Sequence, residues 1–88
     1  MQEDRPPGSL QLIDRHGRFK YALLGRMVNG ADPVELCFSG GWVTGCFEWS
    51  GEPTERPRFH YSIELAADGA VAQGSLEIPE GAVMRWPR

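Results

Sequence analysis

Between Pro33 and Trp49 two alternating apolar and polar runs flank a pair of glycines, Gly40-Gly41. A period of two belongs to half-buried strands, and glycines supply the positive φ of a tight two-residue turn, so this stretch predicts a β-hairpin. With Gly40-Gly41 as the turn, Ser39 faces Trp42, Phe38 faces Val43, Leu36 faces Gly45 and Val34 faces Phe47. Val34, Leu36, Phe38, Val43, Phe47 and Trp49 then share a buried face, while Glu35, Cys37, Trp42, Thr44, Cys46 and Glu48 share the outer one. A three-residue turn mixes the two sets and leaves large apolar side chains in water at about 1.5–3 kcal/mol each, which favours the two-residue register. That register sets Cys37 and Cys46 diagonally about 7 Å apart, beyond an unstrained disulfide, so no bridge is expected. Gly45, with no side chain to pack, is expected to mark a bend or bulge.

The remaining segments repeat the theme. Residues 1–9 are polar around Pro6-Pro7-Gly8 and read as a flexible leader, with ordered structure beginning near Leu10 and one domain running over residues 10–88. Leu10, Leu12, Phe19, Tyr21 and Leu23 alternate with polar residues on either side of Asp14-Arg15-His16-Gly17, predicting a first hairpin. Asn29-Gly30 and Asp32-Pro33 punctuate the chain before the central hairpin, and Ser50 to Pro57 predicts an exposed, mobile loop. Phe59, Tyr61, Ile63 and Leu65 give the cleanest alternation. Asp68-Gly69 then turns the chain into a partner strand, Val71 to Ile78, and Ile78-Pro79-Glu80-Gly81 into a last short one, Ala82 to Trp86. About five to six short antiparallel strands with no helical period define an all-β chain, expected to close as a small barrel.

Composition narrows the function classes. A chain of 88 residues makes one domain that buries a modest fraction of its surface, so oligomerisation would help it. The net charge of -3 argues against a protein that coats nucleic acid through a global positive field. No apolar run is long enough to span a bilayer and Met1-Gln2-Glu3-Asp4-Arg5 is no signal peptide, so no membrane contact and a cytoplasmic location are expected. Cys37 and Cys46 cannot make a metal site alone, and only His16 and His60 could join them at irregular spacing. Gly40-Gly41 leads into a strand rather than a helix, so it is no phosphate loop, and no cofactor is implied.

Gly17-Arg18-Phe19, Gly25-Arg26, Asp32-Pro33-Val34-Glu35-Leu36, Gly41-Trp42 and Gly45-Cys46-Phe47-Glu48-Trp49 together resemble small bacterial SH3-like barrel proteins, often carried on mobile elements and functionally uncharacterised. The resemblance covers about a third of the chain and implies an SH3-like barrel. Ser39-Gly40-Gly41-Trp42 and Gly74-Ser75-Leu76-Glu77-Ile78-Pro79 are similar, more weakly, to the plasmid-borne type II dihydrofolate reductases, tetramers with an active site in a central pore. Here Leu76-Glu77-Ile78-Pro79 replaces that family's Val-Gln-Ile-Tyr run, and no basic residue precedes the glycine-rich turn, so its active-site motif is missing.

The outer face of the central hairpin is therefore the place to look for function. Trp42 stands there beside Thr44, with Glu35 and Glu48 as flanking acids, and a tryptophan outside the core is a frequent interface anchor. These four residues define a binding face rather than a catalytic one. His60 reads as a solvated strand histidine and His16 as a turn residue. Arg15, Arg18, Lys20 and Arg26 make the first thirty residues basic while residues 31–55 hold five acids and no Lys or Arg. That polarity favours self-association or a protein partner, with nucleic acid as a further possibility through the four cations. The expectation is a non-catalytic binding module; the alternatives are a small oligomeric enzyme with a site between subunits and a nucleic-acid-binding barrel.

Overall fold

Three turns of one kind set the frame of the computed structural model, which describes residues 8–64 and 69–87. His16-Gly17, Leu24-Gly25 and Ser39-Gly40 each place two consecutive residues at positive φ, 55° and 81°, 55° and 80°, and 52° and 81°. Two positive φ values in a two-residue connection match the twist of paired strands, so each turn closes a tight antiparallel hairpin. The first two join β1 (Gln11–Arg15), β2 (Arg18–Leu23) and β3 (Arg26–Val28), and the third joins β4 (Pro33–Phe38) to β5 (Gly41–Glu48). The strands β6 (Arg58–Glu64), β7 (Val71–Glu77) and β8 (Met84–Arg85) complete an all-β fold without a helix among the described residues. Two antiparallel sheets result, β1-β2-β3 and β7-β6-β5-β4-β8.

Eight strands stand where the sequence predicts five to six. β3, of three residues, is too short to show a period, and Leu24-Gly25 lacks the usual Asn-Gly or Asp-Gly signature, whereas β8 falls within the last short strand expected over Ala82 to Trp86. Leu24 carries the strain of a left-handed conformation, worth roughly 1–2 kcal/mol for an L residue with a Cβ. Leu24→Asn is therefore expected to raise stability by about 1 kcal/mol, or about 4–8 °C in Tm, measured by thermal unfolding. An unchanged or lower Tm would show that the partly exposed leucine contributes more by packing than it loses in strain.

The central hairpin keeps its predicted faces and changes its partners. Its turn is Ser39-Gly40 rather than Gly40-Gly41, so Phe38 pairs with Gly41, Leu36 with Val43, Glu35 with Thr44 and Val34 with Gly45. The register has slipped by two residues, and because side chains alternate with period two, every residue stays on the face the sequence assigns. Cys37 now opposes Trp42 and Cys46 opposes Pro33, four rungs apart, and both thiols are free. Gly45 makes no bulge, since β5 runs unbroken through it. It is needed because the Phe59 ring crosses the strand there: a Cβ at Gly45 would lie 2.6 Å from Phe59 Cζ. Tyr61 occupies the space over Gly74 in the same way, 2.7 Å from where a Cβ would stand, and the Phe59 and Tyr61 rings stack with centroids 6.0 Å apart.

The two sheets bury one apolar cluster between them, drawing Tyr21, Leu23 and Val28 from the first and Val34, Leu36, Phe47, Phe59 and Met84 from the second, with Ile78 and Trp86. Trp86 ties the layers together: its Nε1 donates to the Leu23 carbonyl at 2.8 Å, and the Arg26 guanidinium covers its ring at 4.1 Å. Cover from the small sheet is uneven. Along β4 exposure rises from 0% at Val34 through 4% at Leu36 to 61% at Phe38, and along β6 from 0% at Phe59 to 47% at Ile63. Phe38 is thus exposed where the sequence predicts burial, because nothing of the small sheet reaches the hairpin end. Trp49 is half-buried rather than enclosed, stacked edge-on against Tyr21 at 4.7 Å with its Nε1 donating to the Glu55 carbonyl.

Two segments expected to be loose are tied down. Gly8 exchanges two backbone hydrogen bonds with Met84, 2.8 and 2.6 Å, so ordered pairing begins inside the predicted leader; residues 1–7 lie outside the described residues. The loop after β5 is exposed over residues 50–55, as predicted, and is tied down at its end, where Arg56 donates to the Ile78 carbonyl and the Tyr21 hydroxyl, both at 3.0 Å, and Pro57 is buried. Backbone and side-chain polar groups of an irregular segment need partners when they approach a core, and these bonds supply them. The predicted Leu65 and Asp68 positions lie outside the described residues.

Candidate functional site

The outer face of the larger sheet brings together Trp42, Glu35 and Thr44 through a residue the sequence reading passes over, Arg85. β8 pairs with β4 so that Arg85 stands opposite Glu35. Its Nε lies 2.6 Å from Glu35 Oε1, and its guanidinium covers the Trp42 ring at 4.0 Å. Thr44 Oγ1 donates to the other carboxylate oxygen, Oε2, at 2.9 Å. The ion pair is well shielded, the two side chains being 13% and 16% exposed. A shielded charge-assisted bond is roughly twice as strong as a neutral one, and a guanidinium over an indole face adds about 0.5–2 kcal/mol. Trp42 is consequently half-buried beneath Arg85, where the sequence predicts an open ring.

Glu48 does not join this cluster. It stands at the other end of β5 and its Oε1 pairs with His60 Nε2 across to β6, with both side chains substantially exposed. His60 is thus a strand histidine with an acidic neighbour in open solvent. Cys46 is its direct cross-strand partner and is also exposed. An open depression of about 660 Å³ runs along this face, with Pro33, Thr44, Cys46, His60, Gln73 and Ser75 among its walls. Its lining offers hydrogen-bonding groups and a thiol, and it encloses no buried acid or base. Among the described residues no group of three or more His, Cys, Asp or Glu could hold a metal ion.

The basic residues of the first hairpin divide between its faces. Arg15 pairs with Arg18 and Ile13 with Lys20, so these three cations share one face by alternation. Arg26 pairs with Leu23 on the opposite face and is committed to the Trp86 ring. Ile78, beyond the end of β7, is 1% exposed and belongs to the core. No helix among the described residues is long and apolar enough to cross a membrane.

No family model matches the chain, and neither a curated protein nor a solved structure matches it significantly. The geometry of the outer face therefore carries the functional argument.

The residue pattern around Arg85 does carry a signal. Met84-Arg85-Trp86 alternates buried, half-buried and buried, so the arginine must point outward from a strand that ends the sheet. Its pairing partner lies 50 residues away, and two residues of strand hold too little pattern to specify that pairing.

Proposed function

We propose that the protein is a non-catalytic interaction module, SH3-like in parentage, that binds a protein partner through the outer face of its larger sheet. The observation that carries this reading is the Arg85 guanidinium fixed between the Trp42 ring and the Glu35 carboxylate. Tryptophan and arginine are the residue types most enriched among interface hot spots, and side chains already ordered before binding lose less entropy when a partner arrives. The adjoining depression supplies polar groups for a rim, as a water-filled protein interface requires. Short consecutive hairpins support the SH3-like parentage.

A nucleic-acid reading draws on Arg15, Arg18 and Lys20, which share a face of the smaller sheet. The two readings part on one comparison. A partner captured by the immobilised protein is purified and titrated against the free protein by tryptophan fluorescence. Trp42→Ala is expected to weaken binding by about thirtyfold or more, the size of a hot-spot loss. Unchanged affinity in that variant would sink the proposal. Binding of a duplex oligonucleotide that falls steeply with salt and vanishes in an Arg15→Ala, Arg18→Ala, Lys20→Ala variant would favour the nucleic-acid reading instead.

A further inference from the structure

Tyr21 is 4% exposed, and its hydroxyl oxygen accepts a hydrogen bond from Arg56 Nη1. A guanidinium only donates, so the proton of that hydroxyl needs an acceptor of its own. Among the described residues it has none, and the Nη2 end of Arg56, which donates from Nε to the Ile78 carbonyl, has none either. Both side chains line a cleft of about 150 Å³ between the first hairpin, the loop after β5 and the turn from β7 to β8. The other walls are apolar, with Leu12, Pro53, Pro79 and Ala82 among them. Leu12 is the cross-strand partner of Tyr21 and shares its inward face, yet is 42% exposed. Glu80, itself exposed, also lines the cleft.

We infer that this cleft binds a carboxylate bearing a short aliphatic side chain, the chemistry shared by the C-terminal residue of a peptide and a free acylated amino acid. A buried donor without an acceptor costs free energy, and the tyrosine hydroxyl and the guanidinium both have donors to spare. The two oxygens of a carboxylate accept from both groups at once, and a charged acceptor makes a bond roughly twice as strong as a neutral carbonyl does. Water is the competing occupant, since the cleft has the volume of about five molecules of it. Water satisfies the donors but leaves Leu12, Pro53 and Pro79 wet, whereas an aliphatic arm covers them. Glu80 opposes an anion and so holds the affinity down. The cleft shares no residue with the cluster of Trp42, Glu35, Thr44 and Arg85, so it stands or falls independently of the proposed partner site.

Titration of the isotope-labelled full chain with N-acetyl-leucine, followed by amide chemical shifts, tests the site. The expected result is a saturable shift at Leu12, Tyr21, Arg56 and Ala82 but not at Trp42, with a Kd of about 0.1–10 mM. N-acetyl-leucine amide keeps the aliphatic arm without the charge and is expected to bind about tenfold more weakly or not at all. A short peptide ending in leucine with a free carboxylate separates the two sources: tighter binding than N-acetyl-leucine marks a peptide terminus as the ligand and weaker binding a free acid, both within the inferred chemistry. Tyr21→Phe removes the hydroxyl and keeps the ring against Trp49, and Arg56→Lys keeps the charge and loses the fork; each is expected to weaken binding by about tenfold. Glu80→Gln is expected to tighten it by about threefold. The absence of a saturable shift up to about 50 mM would leave a water-filled cleft and overturn the inference, as would equal binding of acid and amide. Parent-like affinity in both Tyr21→Phe and Arg56→Lys would overturn it too, as would weaker binding in Glu80→Gln. If Arg56→Lys loses its fold, parent-like affinity in Tyr21→Phe alone overturns it.

Discussion

Gly45→Ala is expected to cost the fold about 3 kcal/mol, lowering Tm by about 12–24 °C in thermal unfolding, and Gly45→Val more. The new methyl would lie 2.6 and 2.8 Å from two carbons of the Phe59 ring and would also collide with the His60 backbone carbonyl. Neither neighbour can yield. Phe59 is fully buried among Leu36, Leu76 and the rest of the core, and the carbonyl belongs to a strand paired on both sides. Overpacking of a fixed core usually costs about 1–3 kcal/mol, and a clash with backbone puts this case at the upper end. Gly30→Ala is the comparator, because nothing lies within 4 Å of its Cβ position and its φ is not positive. That change is expected to move stability by no more than about 0.5 kcal/mol. A Gly45→Ala protein that melts within a few degrees of the parent would show that the Phe59 ring does not need the space.

Trp86→Ala is expected to cost about 3–5 kcal/mol, the usual loss when a buried aromatic is truncated. Three contributions vanish together: the apolar ring at 3% exposure, the Nε1 bond to Leu23, and the seat beneath the Arg26 guanidinium. With total stability of about 5–15 kcal/mol for a small domain, such a variant is marginal near physiological temperature. Trp86→Phe keeps most of the packing and removes the hydrogen bond, so a smaller loss of about 1–2 kcal/mol is expected. Urea unfolding followed by circular dichroism resolves the two. Equal losses in both variants would assign the stabilisation to the Nε1 bond, and no loss in either would show that the sheets hold together without this residue.

The alternation over Phe59, Tyr61 and Ile63 is visible in the sequence and returns as β6. The functional candidates fared differently. Trp42, Thr44 and Glu35 lie on one face by alternation alone, and it is the observed register together with Arg85 that brings them into contact. Glu48 shares that face, yet it lies four rungs along β5 from the level of Glu35 and Thr44, and it pairs with His60 instead. Sharing a face is a property of parity; touching requires proximity along the strand as well.

By itself the sequence determines the faces of the central hairpin, because an even slip of register leaves every side chain on its side, and only an odd slip would expose Val34, Leu36 and Phe47. It cannot choose between even registers, since each buries the same set. The tertiary structure makes that choice, and the observed turn sets Glu35 against both Thr44 and Arg85. It also decides which part of an apolar face is covered: Phe38 and Val34 belong to one alternating series, and the extent of a three-stranded layer drawn from residues 11–28 leaves one at 61% exposure and the other at 0%. Local pattern fixes orientation, while the size and placement of a distant layer fix burial.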